Sequence, residues 1–144
     1  AMALDDDEFE RIVALKRTPL FRYVPFETMV EVSRSVQPRT YLAGEEVVGS
    51  RGWQDLLILE AGVLSLEHPE RPQTLAAPAC FGEAALVGER VPWPRMTAVE
   101  DSRVWFLRAT VFQELCHEHP DMAIELCKLL ARRVREADNA LPAA

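Results

Sequence analysis

Phe81-Gly82-Glu83-Ala84-Ala85-Leu86 is the stretch on which the reading of this chain turns. A glycine between an aromatic residue and a glutamate, followed by small and apolar residues, reads as a strand that closes and opens a short helix. Glycine at such a turn lets the main chain approach a ligand closely. The amides of Glu83, Ala84 and Ala85 would then be unpaired donors at a helix N-terminus, which suits an anion. A glutamate there is placed to accept hydrogen bonds from a sugar hydroxyl. Spacing alone leaves a plainer alternative open, in which Glu83 complements the helix dipole and Phe81 and Leu86 are core.

Around this stretch the chain divides by its glycines. All six fall between Gly44 and Gly88, and glycine marks turns, so the middle of the chain is the strand region. Short apolar runs cut by turns lie at Arg39–Leu42, Glu46–Val48, Asp55–Glu60, Val63–Glu67, Thr74–Ala76, Met96–Val99 and Val104–Leu107. Ala61-Gly62 is a tight-turn signal between two of them. Strands this short and this regularly spaced predict a barrel or jelly roll rather than a βαβ fold.

The flanks are helical. The acidic run Asp5-Asp6-Asp7-Glu8 caps a first helix, with Phe9, Ile12, Val13 and the stem of Lys16 along one face and Thr18-Pro19 closing it. Pro25 suits the first turn of a second helix, with Phe26, Met29, Val30 and Ser33 on one face. Thr110-Val111-Phe112-Gln113 matches a capping box that opens a helix through about Cys116. Pro120 starts a longer one, with Ala123, Leu126, Cys127, Leu130, Val134 and Ala137 on its stripe. The expected organisation is a single domain over 1–144. Helices occupy 1–35, a β-roll occupies 36–109, and helices occupy 110–140.

Composition narrows the partners. With 49% hydrophobic and 27% charged residues, the chain has an ordinary globular mix. A net charge of -7 offers no basic stripe for phosphates, which argues against direct nucleic-acid binding. No apolar stretch reaches the length of a membrane span. Three cysteines without regular spacing do not make a disulfide framework, so a reducing, cytoplasmic setting is expected.

The central stretch resembles the start of the phosphate-binding cassette of cyclic-nucleotide-binding domains, which serve catabolite-activator-type regulators, kinase regulatory subunits and cyclic-nucleotide-gated channels. The resemblance covers nearly the whole chain. Pro19-Leu20-Phe21 and Gly44-Glu45-Glu46-Val47 look like the family's helical lead-in and first roll turn. Leu57-Ile58-Leu59-Glu60-Ala61-Gly62-Val63 is similar to its central strand and turn. Val99-Glu100-Asp101-Ser102-Arg103-Val104 looks like the strand pair after the cassette, and the last two helices match its B and C helices. The resemblance implies a mainly β fold with flanking helices, a double-stranded β-helix of jelly-roll type, with a cassette over 81–99. It implies a regulatory or sensor domain and not an enzyme. The C-terminal helix would then carry the signal to another protein, to a further domain or to a second copy.

One departure stands out. In the family an arginine nine residues after the glutamate pairs with the cyclic phosphate. An ungapped count from Glu83 reaches Pro92, followed by Trp93. A gapped alternative makes Arg95 the phosphate arginine, but in a regular strand it faces away from the side of position 92. Arg90 has the right parity but falls in the expected loop. Removing one partner of a desolvated charge pair costs about 2–5 kcal/mol, or roughly 30- to several-thousand-fold in affinity. The candidate pocket is therefore Phe81, Gly82, Glu83, Ala84, Ala85, Leu86, Trp93 and Arg95, with binding of cyclic AMP or cyclic GMP lost or altered. No cofactor is required. Another small anionic or nucleotide ligand, or a ligand-free role in docking or dimerisation, are the competing expectations.

Other chemistry is poorly supported. Cys116-His117-Glu118-His119 contains metal-ligand types, but adjacent residues at a helix end do not all converge on one ion, so no metal site is expected. Cys80 lacks a nearby histidine in sequence and reads as a buried structural thiol. Arg132, Arg133 and Arg135 read as a solvated helix face or a surface for an acidic partner.

Overall fold

The computed structural model describes residues 4–47, 55–67, 73–88 and 94–140. Among them, α1 (Asp6–Lys16) and α2 (Phe26–Ser35) lead into β1 (Gln37–Tyr41), β2 (Glu46–Val47), β3 (Asp55–Ala61), β4 (Val63–Glu67), β5 (Gln73–Ala76) and β6 (Ala79–Phe81). A short α3 (Glu83–Leu86) follows, then β7 (Arg95–Ala98), β8 (Ser102–Arg108), α4 (Ala109–Glu118) and α5 (Pro120–Ala140). The strands form two four-stranded sheets, ordered β1-β8-β3-β6 and β2-β7-β4-β5, and every pairing is antiparallel. This is the jelly-roll class that the turn spacing predicts, in the form of the β-roll with flanking helices that the resemblance implies.

The sequence of β3 explains how two sheets and a helical layer share one chain. Successive strand side chains point to opposite faces. Leu57 and Leu59 therefore enter the core between the sheets, with Leu64, Leu66, Met96, Ala98, Val104 and Phe106. Leu56 and Ile58 enter a second core, with Ile12, Leu15, Phe21, Met29, Trp105, Leu107 and Phe112. β3 is thus buried on both faces, which is why its segment 56–59 reads as a continuous apolar run rather than an alternating one. On β8, Val104 and Phe106 face the roll while Trp105 and Leu107 face the helices. Trp105 donates to Glu60 at 2.9 Å, and the Arg11 guanidinium lies 5.0 Å from its ring centre.

The helix ends follow from local chemistry, with corrections. Asp5 is the N-cap of α1 and accepts from the Glu8 amide at 2.7 Å, as the acidic run predicts. The buried face of α1 is Ile12 and Leu15. Phe9 is 52% exposed and Val13 is 37% exposed, because α2 packs against the adjoining side of the helix and Arg11 reaches the Ser33 carbonyl. The buried face of α2 is Thr28, Met29, Val32 and Ser33; the expected Val30 is half-buried against the same core, whereas Phe26 is exposed. The capping box does not form. Arg108 is the N-cap of α4 without a side-chain cap bond, and Gln113 instead donates to the Leu86 carbonyl at 3.1 Å. A tertiary acceptor outweighs the local one. On α5 the buried residues are Met122, Glu125, Leu126 and Leu129, while Cys127, Val134 and Ala137 are exposed. Leu126 and Leu130 of the expected stripe do pack against the core, whereas Val134 and Ala137 lie beyond the last apolar contact and are exposed.

The cysteines are unpaired. Burial pushes the Cys80 thiol up to about 12 and raises that of Cys116 above its usual range. Because the thiolate is the reactive form, iodoacetamide at pH 8 is expected to label Cys127 first and Cys116 more slowly. Cys80 should label only after denaturation, as read by mass spectrometry. The same shift carries a sign for stability. The native state holds the Cys80 proton after the unfolded state has lost it, so stability falls as pH rises from about 9 toward 12.

Candidate functional site

The turn at 81–86 is built by close backbone approach. Phe81 pairs with Leu57 at the end of β6, and Gly82 then turns the chain with φ 96 and ψ 21, the left-handed region. A Cβ on Gly82 would sit 2.9 Å from the Asp55 carbonyl oxygen, so both the conformation and the space demand glycine. Leu86 and Ala85 are buried, and Leu86 anchors α3 in the helix-side core. Phe81 packs at the margin of the roll core. Ala84 is half-buried.

The expected trio of amide donors is reduced. The Ala85 amide donates to the Gly82 carbonyl at 3.0 Å and is spent. The amides of Glu83 and Ala84, at the first two helical positions, have no intrahelical acceptor by the geometry of a helix start.

Glu83 has a partner that its sequence neighbourhood does not suggest. Arg133, fifty residues further along the chain, places a guanidinium nitrogen 2.8 Å from Glu83 Oε1, and the glutamate side chain is 15% exposed. Arg133 stays 45% exposed, as a solvated helix face predicts, while its guanidinium reaches the turn. Its signal in the sequence was the three-arginine cluster on α5, without any indication of which one reached the 81–86 turn. Arg135 is exposed and Arg132 half-buried.

Arg95 is not brought to this turn. It opens β7 opposite Glu67 and lies 3.5 Å from Glu46, with a side chain 66% exposed. Its neighbour Met96 points into the roll core, so the alternation of the strand carries Arg95 outward, as its parity predicts. Trp93, with Pro92 and Arg90, lies outside the described residues. On the far side of the roll, Ser102 donates to the Glu100 carbonyl at 2.8 Å, and Asp101 accepts from the Ala43 amide at 2.9 Å. The Glu100-Asp101-Ser102 segment is thus a structural turn.

The architecture recurs in known proteins. The sensor domain of the transcriptional regulator DNR from Pseudomonas aeruginosa superposes with a TM-score of 0.74 over 96% of this chain and 98% of that one, at 14% identity. The Thermus thermophilus catabolite activator protein superposes with a TM-score of 0.70 at 31% identity, over 83% of this chain and 60% of that one. In sequence, a cyclic nucleotide-gated potassium channel of Rhizobium etli is 29% identical over 117 residues, 80% of this chain and 33% of the channel.

This is a cyclic-nucleotide-binding-domain fold.

The chain spans about a third of the length of the curated relatives it matches. No protein-family model matches it. Among the described residues, no helix is long and apolar enough to cross a membrane. In this fold α4 and α5 are the two helices that follow the roll, and the 81–86 turn lies between β6 and β7.

Proposed function

We propose that this chain is the regulatory module of a larger protein, in which a small anionic or nucleotide ligand at the 81–86 turn competes with Arg133 for Glu83 and so releases α5. The carrying observation is the 2.8 Å contact between Arg133 and Glu83. It joins the segment best suited to meet a ligand to the helix best placed to signal. A ligand shifts such an equilibrium only by its differential affinity for the two states, and a hydroxyl or anion that must displace Arg133 supplies that difference. The module acts without catalysis of its own. Its unpaired cysteines suit the reducing cytoplasm.

Ordinary cyclic nucleotides are weak ligands in this reading. Arg95 is engaged outward by Glu46, and the position nine residues after Glu83 is Pro92. Calorimetric titration with cyclic AMP and cyclic GMP tests the proposal. The native chain should bind with a dissociation constant above about 100 µM, consistent with loss of one desolvated charge partner. Arg133→Ala should tighten binding about two- to fivefold, since the pair it breaks is partly exposed. Saturable binding at low micromolar concentration would sink the weakened-ligand reading. No heat from either nucleotide, in either chain, would favour a docking or dimerising module. Ile124 and Val134, 54% and 62% exposed on α5, favour that second reading.

A further inference from the structure

The junction of α4 and α5 gathers a set of side chains that the regulatory reading does not use. His119 is the single residue between α4, ending at Glu118, and α5, starting at Pro120. Its Nε2 lies 3.0 Å from Glu31 Oε2 on α2. Glu118 completes the group, and the ligand atoms of the three residues lie within 4.8 Å of one another. The sequence motif Cys116-His117-Glu118-His119 lacks a second cluster along the chain. Folding supplies it from α2, 88 positions away, in the form of Glu31.

We propose that Glu31, Glu118 and His119 form a site for a zinc-class divalent cation that ties α2 to the α4–α5 junction. Three features argue for it. First, the ring has an orienting partner. His119 Nδ1 faces the buried Thr28 hydroxyl at 3.5 Å, so when an ion displaces the proton between Nε2 and Glu31, the ring keeps its other proton toward Thr28 and gives its Nε2 lone pair to the metal. Ligating histidines are commonly fixed through their other nitrogen in this way. Second, the spacing suits the ion. Zinc bonds of about 2.0–2.2 Å in a tetrahedron put ligand atoms roughly 3.4 Å apart, so the 3.0 Å pair needs little movement, and the Glu118 carboxylate already lies within 4.8 Å of both partners. Third, the cation that lines the adjoining groove is engaged elsewhere. Glu31, Glu118 and Arg34 line a groove of about 310 Å³, and Arg34 is bound to Glu8 at 3.1 Å. One imidazole and two carboxylates favour zinc, with water completing the set, over magnesium or calcium, which prefer oxygen alone.

Zinc added to the full chain tests the site by calorimetry and thermal unfolding. Cys116 and Cys127 are rival zinc ligands, so the titration uses the Cys116→Ser/Cys127→Ser chain alongside the native one. The expected result is one saturable site in both, with a rise in Tm of about 5–10 °C at saturating zinc. His119→Ala and Glu118→Gln should each weaken binding at least tenfold. Circular dichroism of the metal-free variants separates loss of the site from loss of the fold, and Glu118→Gln, at an exposed position, serves if His119→Ala unfolds. Cobalt gives a second readout. A site of nitrogen and oxygen ligands lacks the thiolate charge-transfer band that a cysteine site shows. Absence of binding to the native chain, binding unaffected by both ligand substitutions, or binding abolished by the cysteine replacements overturns the proposal.

Discussion

Gly62→Ala is expected to destabilise the chain by about 3–5 kcal/mol, the sum of a left-handed backbone penalty and an overpacking penalty. Gly62 joins β3 to β4 with φ 101, and a Cβ there would stand 2.1 Å from Ser102 Oγ and 2.6 Å from Ser102 Cα. The hydroxyl is movable. The main chain is not, because Ser102 begins β8 and pairs with Tyr41 on β1. Relief would have to come from separating the turn from the first sheet. The turn also holds the Ala77 amide through the Gly62 carbonyl at 3.1 Å, so displacement reaches the segment leading to β6 and the 81–86 turn. Urea denaturation gives the loss as a shift in midpoint at constant slope. Adding Ser102→Ala to Gly62→Ala should recover little, since the backbone of residue 102 still blocks the new methyl group. Full recovery would show that the hydroxyl alone was the obstacle, and an unchanged midpoint for the single variant would refute the close approach.

The same turn shows what was legible in the amino-acid order. Ala61-Gly62 announced itself because one residue type is uniquely tolerated there, and the strands on either side were bounded to within a residue or two. Gly82 was legible for a like reason. Features that depend on one local need survive reading from sequence. Features that depend on which distant group arrives do not. Gln113 carries a capping-box spacing, yet its amide goes to Leu86. Arg133 looked like one solvated arginine of three, yet it meets Glu83 across fifty positions. His119 and Glu118 looked like helix-end residues until α2 brought Glu31 beside them. Helix faces slipped for a related reason. Period alone marks several near-equivalent stripes, and the stripe chosen on α1 and α5 is decided by what packs against it, as Leu15 and Leu129 show against Val13 and Val134. Arg95 went the other way: strand parity is local, and it placed the side chain outside before any contact was known.

Phe112→Ala should lower stability by about 3–5 kcal/mol, the usual cost of emptying a large buried aromatic site, or roughly 10–20 °C in Tm for a chain of this size. Phe112 is 1% exposed on α4 and shares the helix-side core with Leu86, Ile58, Leu107 and Met122. Those four residues come from α3, β3, β8 and α5. Phe112 therefore lies in one core with α3, with β3 and β8 of the first sheet, and with the helix that carries Arg133. Phe112→Leu keeps most of the volume and should cost less than half as much. If the 81–86 turn and α5 communicate through packed side chains, a partial cavity at 112 should also loosen the Glu83–Arg133 pair without touching either residue. Hydrogen exchange resolves this: in Phe112→Leu, amides of α3 and of α5 should gain exchange together while those of β4 and β5, in the other sheet, stay protected. Faster exchange confined to α4 would mean that the ring stabilises its own helix and couples nothing. A Phe112→Ala chain with native Tm would contradict the core packing itself, because no surface residue leaves a hole of that size for its neighbours to fill.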